Sequence, residues 1–107
     1  MERVLCLAIV AALSVATGPV AAQEIGQPGH GLAVAQNLCA ECHGVQKGQA
    51  SPNASAPTFA TIANVPGMTA TALSAALQTS HRTMPNIVLA PDEMRDVIVY
   101  IQSLKGG

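Results

Sequence analysis

The segment Cys39-Ala40-Glu41-Cys42-His43 restricts the fold of this chain more than any other feature. Two cysteines three positions apart, followed directly by a histidine, are the pattern that covalent haem attachment requires. Each thiol can add to one vinyl group of the porphyrin, and the histidine then lies where its imidazole can bind the iron. The segment therefore predicts one haem (heme c) per chain and a polypeptide that wraps around it.

Other uses of a Cys-x-x-Cys pair account for less of the sequence. A structural zinc site needs about four Cys or His ligands, and the chain has no second cysteine pair. Thioredoxin-like exchange belongs beside a βαβ pattern, which is missing here. A disulfide between Cys39 and Cys42 would close a very short loop and stabilise little. Haem attachment also explains His43, so we retain it.

Residues 1–22 have the pattern of a secretory signal peptide. Arg3 supplies a positive charge, residues 4–13 are apolar, and small residues lead up to Ala22. We expect cleavage before Gln23, a mature domain of residues 23–107 and a periplasmic location. A membrane anchor is the alternative, but the strictly apolar run is shorter than the about 20 residues that cross a bilayer. We expect no stable membrane insertion after the signal is removed.

The composition of residues 23–107 limits both the core and the partners. These residues retain a net charge of −1 and contain no basic block, which argues against nucleic acid as a partner. They contain no Trp, and their only aromatic residues are Phe59 and Tyr100. A single domain of this size has a marginal hydrophobic core. A buried haem would fill the space that side chains leave.

The hydrophobic pattern predicts an all-α fold, because no segment alternates with a period of two. Residues 23–30, including His30 as a surface residue, are predicted to be a loose segment before a first helix over residues 31–39. Residues 44–57 contain turn-forming residues and are predicted to be a loop. Residues 58–64 are predicted to form one or two helical turns.

Two further helices are predicted in the second half of the chain. Thr69 is a suitable N-cap for a helix over residues 69–79, and residues 80–90 form a second predicted loop. Pro91 suits the first position of the last helix, whose acidic first turn favours the positive end of the helix dipole. One face of that helix carries an apolar stripe of Met94, Val97, Ile98, Ile101 and Leu104.

Met84 is the favoured second iron ligand. It lies 41 residues after His43 in a predicted loop, where Pro85 stiffens the backbone. A thioether favours reduced iron and raises the reduction potential, whereas a second histidine would lower it. Met94 belongs to the apolar stripe and is assigned to the core. The remaining rivals are one methionine and one histidine: Met68 and His81.

The haem motif, the loop Met84-Pro85 and the closing helical segment Asp96-Val97-Ile98-Val99-Tyr100-Ile101 together resemble class I cytochromes c of the small bacterial type. The resemblance extends over about residues 31–104. It implies three to four helices around one covalently bound haem, and a monomeric electron carrier that is not an enzyme. Its expected partners are redox proteins: a dehydrogenase or cytochrome complex as donor, and an oxidase or reductase as acceptor.

The same resemblance implies roles for residues outside the motif. Gly31 and Ala35 of the first helix would pack closely against Val97 and Tyr100 of the last. The carbonyl of Pro57 would accept a hydrogen bond from the proximal imidazole, although a proline that only stiffens the loop remains open.

Two other functions also remain open. The chain could be a haem subunit of a larger oxidoreductase, or a haem enzyme or gas sensor with an open iron position. Met84 argues against the second of these.

Overall fold

The computed structural model describes residue 18, residues 26–79 and residues 83–107. The predicted signal peptide and cleavage site, apart from Gly18, and the rival ligand His81 lie outside these residues. The described part contains four α-helices and no strand: α1 (Pro28–Leu38), α2 (Phe59–Ala63), α3 (Ala70–Gln78) and α4 (Pro91–Ser103). The predicted all-α fold is confirmed. None of the described helices is long and apolar enough to span a membrane.

Helix α1 begins three residues earlier than predicted. Pro28 occupies the first turn, where its missing N–H costs no hydrogen bond and its fixed φ suits the helix. The prediction treated Pro28 and Gly29 as loop residues, and this was wrong. His30 consequently lies in the first turn of α1, although its side chain is indeed about half exposed.

The boundaries of the other helices follow local capping chemistry. Thr58 and Thr69 precede α2 and α3, and each hydroxyl accepts a hydrogen bond from a backbone N–H three residues later at 3.1 Å. The first turn of α4 is closed by Glu93, whose carboxylate accepts the N–H of Ala90 at 2.9 Å. After α4, Gly106 adopts a φ of +79°, which favours glycine.

The core lies between α4 and the other three helices. The predicted stripe of α4 is confirmed, with Met94 partly buried at its edge and the other four residues buried. The closest approach is between α1 and α4. A Cβ atom built on Gly31 would lie 2.0 Å from the backbone oxygen of Asp96 and 2.9 Å from the Cβ of Tyr100. The predicted close packing of the first and last helices is thereby confirmed.

Candidate haem-attachment site

The two thiols and the imidazole of the motif lie in a tight turn at the end of α1. Cys39 caps the helix, and its N–H donates to the carbonyl of Ala35 at 2.8 Å. The N–H groups of Cys42 and His43 both donate to the carbonyl of Cys39, at 3.2 and 2.9 Å. The turn therefore fixes the three candidate site residues relative to α1.

Neither cysteine of the motif forms a disulfide. Cys39 is buried and Cys42 is partly exposed. Burial raises the pKa of the Cys39 thiol, because a thiolate there would lose hydration. Neither sulfur is engaged in a disulfide, so both are chemically available for thioether formation.

The imidazole of His43 is oriented by a backbone carbonyl. Its Nδ1 lies 2.6 Å from the carbonyl oxygen of Pro57. Because a carbonyl oxygen can only accept a hydrogen bond, Nδ1 must carry the proton in this contact. In the neutral imidazole with its proton on Nδ1, Nε2 keeps the lone pair that a metal ion requires. This is the contact between His43 and Pro57 that the resemblance implies.

The loop between His43 and Pro57 is held against the motif by hydrogen bonds at both of its ends. The N–H of Gly44 donates to the hydroxyl of Ser51 at 2.9 Å, and the N–H of Asn53 donates to the carbonyl of Cys42 at 3.2 Å. The N–H of Phe59 donates to the carbonyl of Gly44 at 2.9 Å. These bonds on either side of Pro57 hold its carbonyl beside the imidazole.

The two aromatic residues of the chain, Phe59 and Tyr100, lie in a row with the imidazole of His43. The ring of Phe59 is 5.6 Å from that of His43 and 6.5 Å from that of Tyr100, with both pairs tilted by about 50°. The hydroxyl of Tyr100 donates to the carbonyl of Val45 at 2.5 Å, and burial raises the pKa of this phenol. α4 is thereby bonded to the segment that follows the haem motif. The sequence analysis noted both aromatic residues but did not predict that their rings would lie in a row with the imidazole of His43.

Of the predicted site residues, the structure joins Cys39, Cys42, His43 and Pro57 through hydrogen bonds. Met84 takes no part in those bonds. It is half-buried in the segment of residues 83–90 that leads into α4.

Met94 and Met68 pack against the core. The sulfur of Met94 accepts a hydrogen bond from the hydroxyl of Ser74 at 3.8 Å. The assignment of Met94 to the core is confirmed.

The donor set suits a haem better than a bare metal ion. Across residues 26–79 and 83–107, no three His, Cys, Asp or Glu side chains are grouped so that they could hold a metal ion by themselves. A porphyrin brings four nitrogen ligands and asks the protein only for axial ligands and, in covalent haem, for thiols. Two available thiols and an oriented imidazole with one free nitrogen meet those needs.

The sequence profile of the family described as Cytochrome c matches residues 29–105, nearly the whole described domain. The chain belongs to the cytochrome c family. It is also 36% identical over 103 residues to Cytochrome c-552 of Bradyrhizobium diazoefficiens, an alignment that covers 96% of this chain and 94% of that protein. No solved structure matched the chain significantly.

Membership in this family establishes the cofactor and the general activity. The chain carries a covalently bound c-type haem with its iron, and it is an electron-transfer protein with redox partners. The resemblance to small bacterial class I cytochromes c, which was drawn from the motif and the closing helix, is confirmed.

Proposed function

We propose that this cytochrome c is an exported, monomeric electron carrier whose haem is attached through Cys39 and Cys42 and whose iron is bound by His43 and Met84. The bound haem supplies the one-electron chemistry. The observation that carries the proposal is the 2.6 Å contact between Nδ1 of His43 and the carbonyl of Pro57, because it leaves the opposite ring nitrogen for the iron.

His43 contributes more than a ligand atom. A hydrogen bond from its Nδ1–H to Pro57 sets the ring orientation and increases the electron density on Nε2. Phe59, which is almost fully buried at 4% exposure, restricts the ring from one side. A ligand held in this way moves little between oxidation states, which suits a protein that exchanges electrons without binding a substrate.

Met84 is favoured as the second ligand by the positions of the other described methionines. Met68 and Met94 pack against the hydrophobic core, whereas Met84 lies in the segment before α4 next to Pro85. A thioether ligand would favour reduced iron and close the sixth position. A closed iron supports an electron carrier over an enzyme or a gas sensor.

The ligand is tested with Met84→Ala in the haem-loaded protein. We expect the weak near-infrared charge-transfer band of methionine-ligated ferric haem to disappear and the reduction potential to fall. Met94→Leu is the matched control, since it removes a thioether of similar volume from the core and should keep the band. If Met84→Ala keeps the band, or if His81→Ala rather than Met84→Ala changes the spectrum and potential, the assignment to Met84 is wrong.

Export is supported by the charged, apolar and small-residue pattern of residues 1–22. The intact mass of the protein from the periplasmic fraction tests it: we expect a chain that begins at Gln23 and carries one added haem. Size-exclusion chromatography of a native extract separates the free carrier from a haem subunit of a larger oxidoreductase. Rapid carbon monoxide binding after reduction would instead favour an open-site haem protein.

A further inference from the structure

Asp96 is a buried carboxylate at the crossing of α1 and α4. Only 7% of the residue is exposed, although it lies on a helix whose other acidic residues, Asp92 and Glu93, are at the more open N-terminal turn. Gly31 of α1 approaches the backbone of Asp96 closely, so α1 packs directly against this residue. A buried carboxylate is stable only when its oxygens accept hydrogen bonds, so its partners decide what it does.

Both oxygens of Asp96 are bonded to the start of α1. Oδ1 accepts the backbone N–H of Gln27 at 2.7 Å, and Oδ2 lies 2.6 Å from Nδ1 of His30. Gln27 is the N-cap of α1 and its own side chain makes no capping bond. The carboxylate of α4 therefore accepts the N–H of the N-cap residue of α1 and places a negative charge at the positive end of that helix.

We propose that His30 and Asp96 form a pH-sensitive latch that closes α1 onto α4 under mildly acidic conditions and loosens at both higher and lower pH. The latch is an addition to electron transfer and does not depend on the identity of the iron ligands. It acts on the helix whose end carries Cys39, and so on the crossing that supports the haem motif.

Each arm of the pH response follows from the donors and acceptors at the contact. When His30 is protonated and Asp96 ionised, Nδ1–H donates to Oδ2 in a charge-assisted bond. When His30 loses its charge, Nδ1 can donate only as part of a neutral ring, and its hydrogen bond to Oδ2 is weaker than the charge-assisted one. Protonation of Asp96 removes its charge, and a proton on Oδ2 would face another donor at Nδ1.

The charged surroundings reinforce the pair. The hydrogen bond to Asp96 is the main cause that raises the pKa of His30 above 6.5, and the negative charges of Asp92 and Glu93 add to it. The N–H of Gln27 and then His30 lower the pKa of Asp96 below 3.8, and Arg95 contributes in the same direction. α2 and α3 contain no ionisable residue, and His30 is the only one in α1. Glu24, on the segment that precedes α1, lies outside the described residues.

The signs of the two shifts define the pH window. A raised pKa of His30 means that its contribution is complete below 6.5 and is lost as pH rises through the folded-state pKa. A lowered pKa of Asp96 means that its contribution is complete above 3.8 and is lost as pH falls through the folded-state pKa. The latch is therefore strongest between these two values, on the acidic side of neutrality.

The test compares the haem-loaded wild type with His30→Asn, whose side-chain amide can donate from nearly the position of Nδ1 but does not titrate. Denaturant midpoints are measured from pH 4 to pH 9. We expect the wild-type midpoint to fall relative to that of the variant as pH rises above the His30 titration, because the variant keeps a bond that pH does not change. Parallel profiles over this range would overturn the proposal. Titrations of the haem and its ligands are common to both proteins and cancel in the difference.

A second measurement does not depend on whether variants fold. In the reduced wild-type protein, NMR titration of the His30 ring should give a midpoint above 6.5, and the amide of Gln27 should exchange with solvent more slowly at pH 5.5 than at pH 8.5 after correction for intrinsic rates. Asp96→Asn should return the His30 midpoint toward its ordinary value. A wild-type midpoint at or below 6.5, or protection of Gln27 that does not change with pH, contradicts the latch.

Discussion

Substitution of Gly31 by alanine tests the helix crossing on which the haem motif depends. The added Cβ would lie 2.0 Å from the carbonyl oxygen of Asp96 and 2.5 Å from its carbonyl carbon. Non-bonded heavy atoms at their optimal separation are about 3.5–4.0 Å apart. The two helices must therefore separate by about 1.5 Å, since a backbone group in a helix cannot rotate away as a side chain can.

The loss of stability can be estimated from the packing between α1 and α4 that this separation weakens. A gap of about 1 Å forfeits up to about half of the dispersion energy of each atom pair across the seam. Val97 and Ala35, both fully buried, lie in this seam. Overpacking of a core typically costs about 1–3 kcal/mol of stability. We expect Gly31→Ala to lie at the upper end of this range, because the added Cβ meets backbone atoms of Asp96. We expect a loss of about 3 kcal/mol, equivalent to a fall in Tm of about 12–24 °C for a domain of this size.

Gly29→Ala is the matched control because Gly29 lies in the same helix with nothing within 4 Å of its built Cβ. It should leave stability unchanged or raise it by up to about 1 kcal/mol through helix propensity. The assay is equilibrium unfolding of both haem-loaded variants in guanidinium chloride, followed by far-ultraviolet circular dichroism. Stabilities of the two variants within about 0.5 kcal/mol of each other would refute the argument from close approach.

Two further substitutions probe the support of the haem motif. Tyr100→Phe removes the donor to the carbonyl of Val45 and leaves that acceptor unpaired, so we expect a loss of about 1–3 kcal/mol in chemical unfolding with the visible spectrum unchanged; a neutral result would mean that water replaces the hydroxyl. Gly44→Ala places a Cβ 2.2 Å from the backbone oxygen of Gln49, so the loop after His43 must shift, and the yield of haem-attached protein on expression should fall. A wild-type yield with wild-type stability would show that the loop adapts freely.

The haem motif and the helix pattern could be predicted because their physics is local. The proposed attachment needs only Cys39, Cys42 and His43 within five residues, and a turn of backbone hydrogen bonds places them. The start of α4 and the cap of α3 were predicted correctly, since Pro91 and Thr69 act on their own first turns. The start of α1 was predicted wrongly because proline and glycine suit both a loop and a first helical turn.

The role of Asp96 could not be predicted from the pattern of α4. A charged residue beside an apolar stripe ordinarily lies on the solvated face of a helix. Asp96 is buried where Gly31 approaches its backbone, and its partners Gln27 and His30 are 69 and 66 residues away in sequence. The hydrogen bond from Tyr100 to Val45 joins residues that are 55 positions apart, and the sequence pattern did not predict it either.

Amino-acid order alone thus determined which prosthetic group is attached, where the proposed attachment thiols and the proposed proximal imidazole lie along the chain, and which segments form helices, since each depends on neighbours within a few residues. Only the tertiary structure decided that a carboxylate on the last helix caps the first, and that the two aromatic rings line up behind His43. Such contacts exist once α1 and α4 meet, because burial turns a solvated charge or hydroxyl into a group that must find a partner.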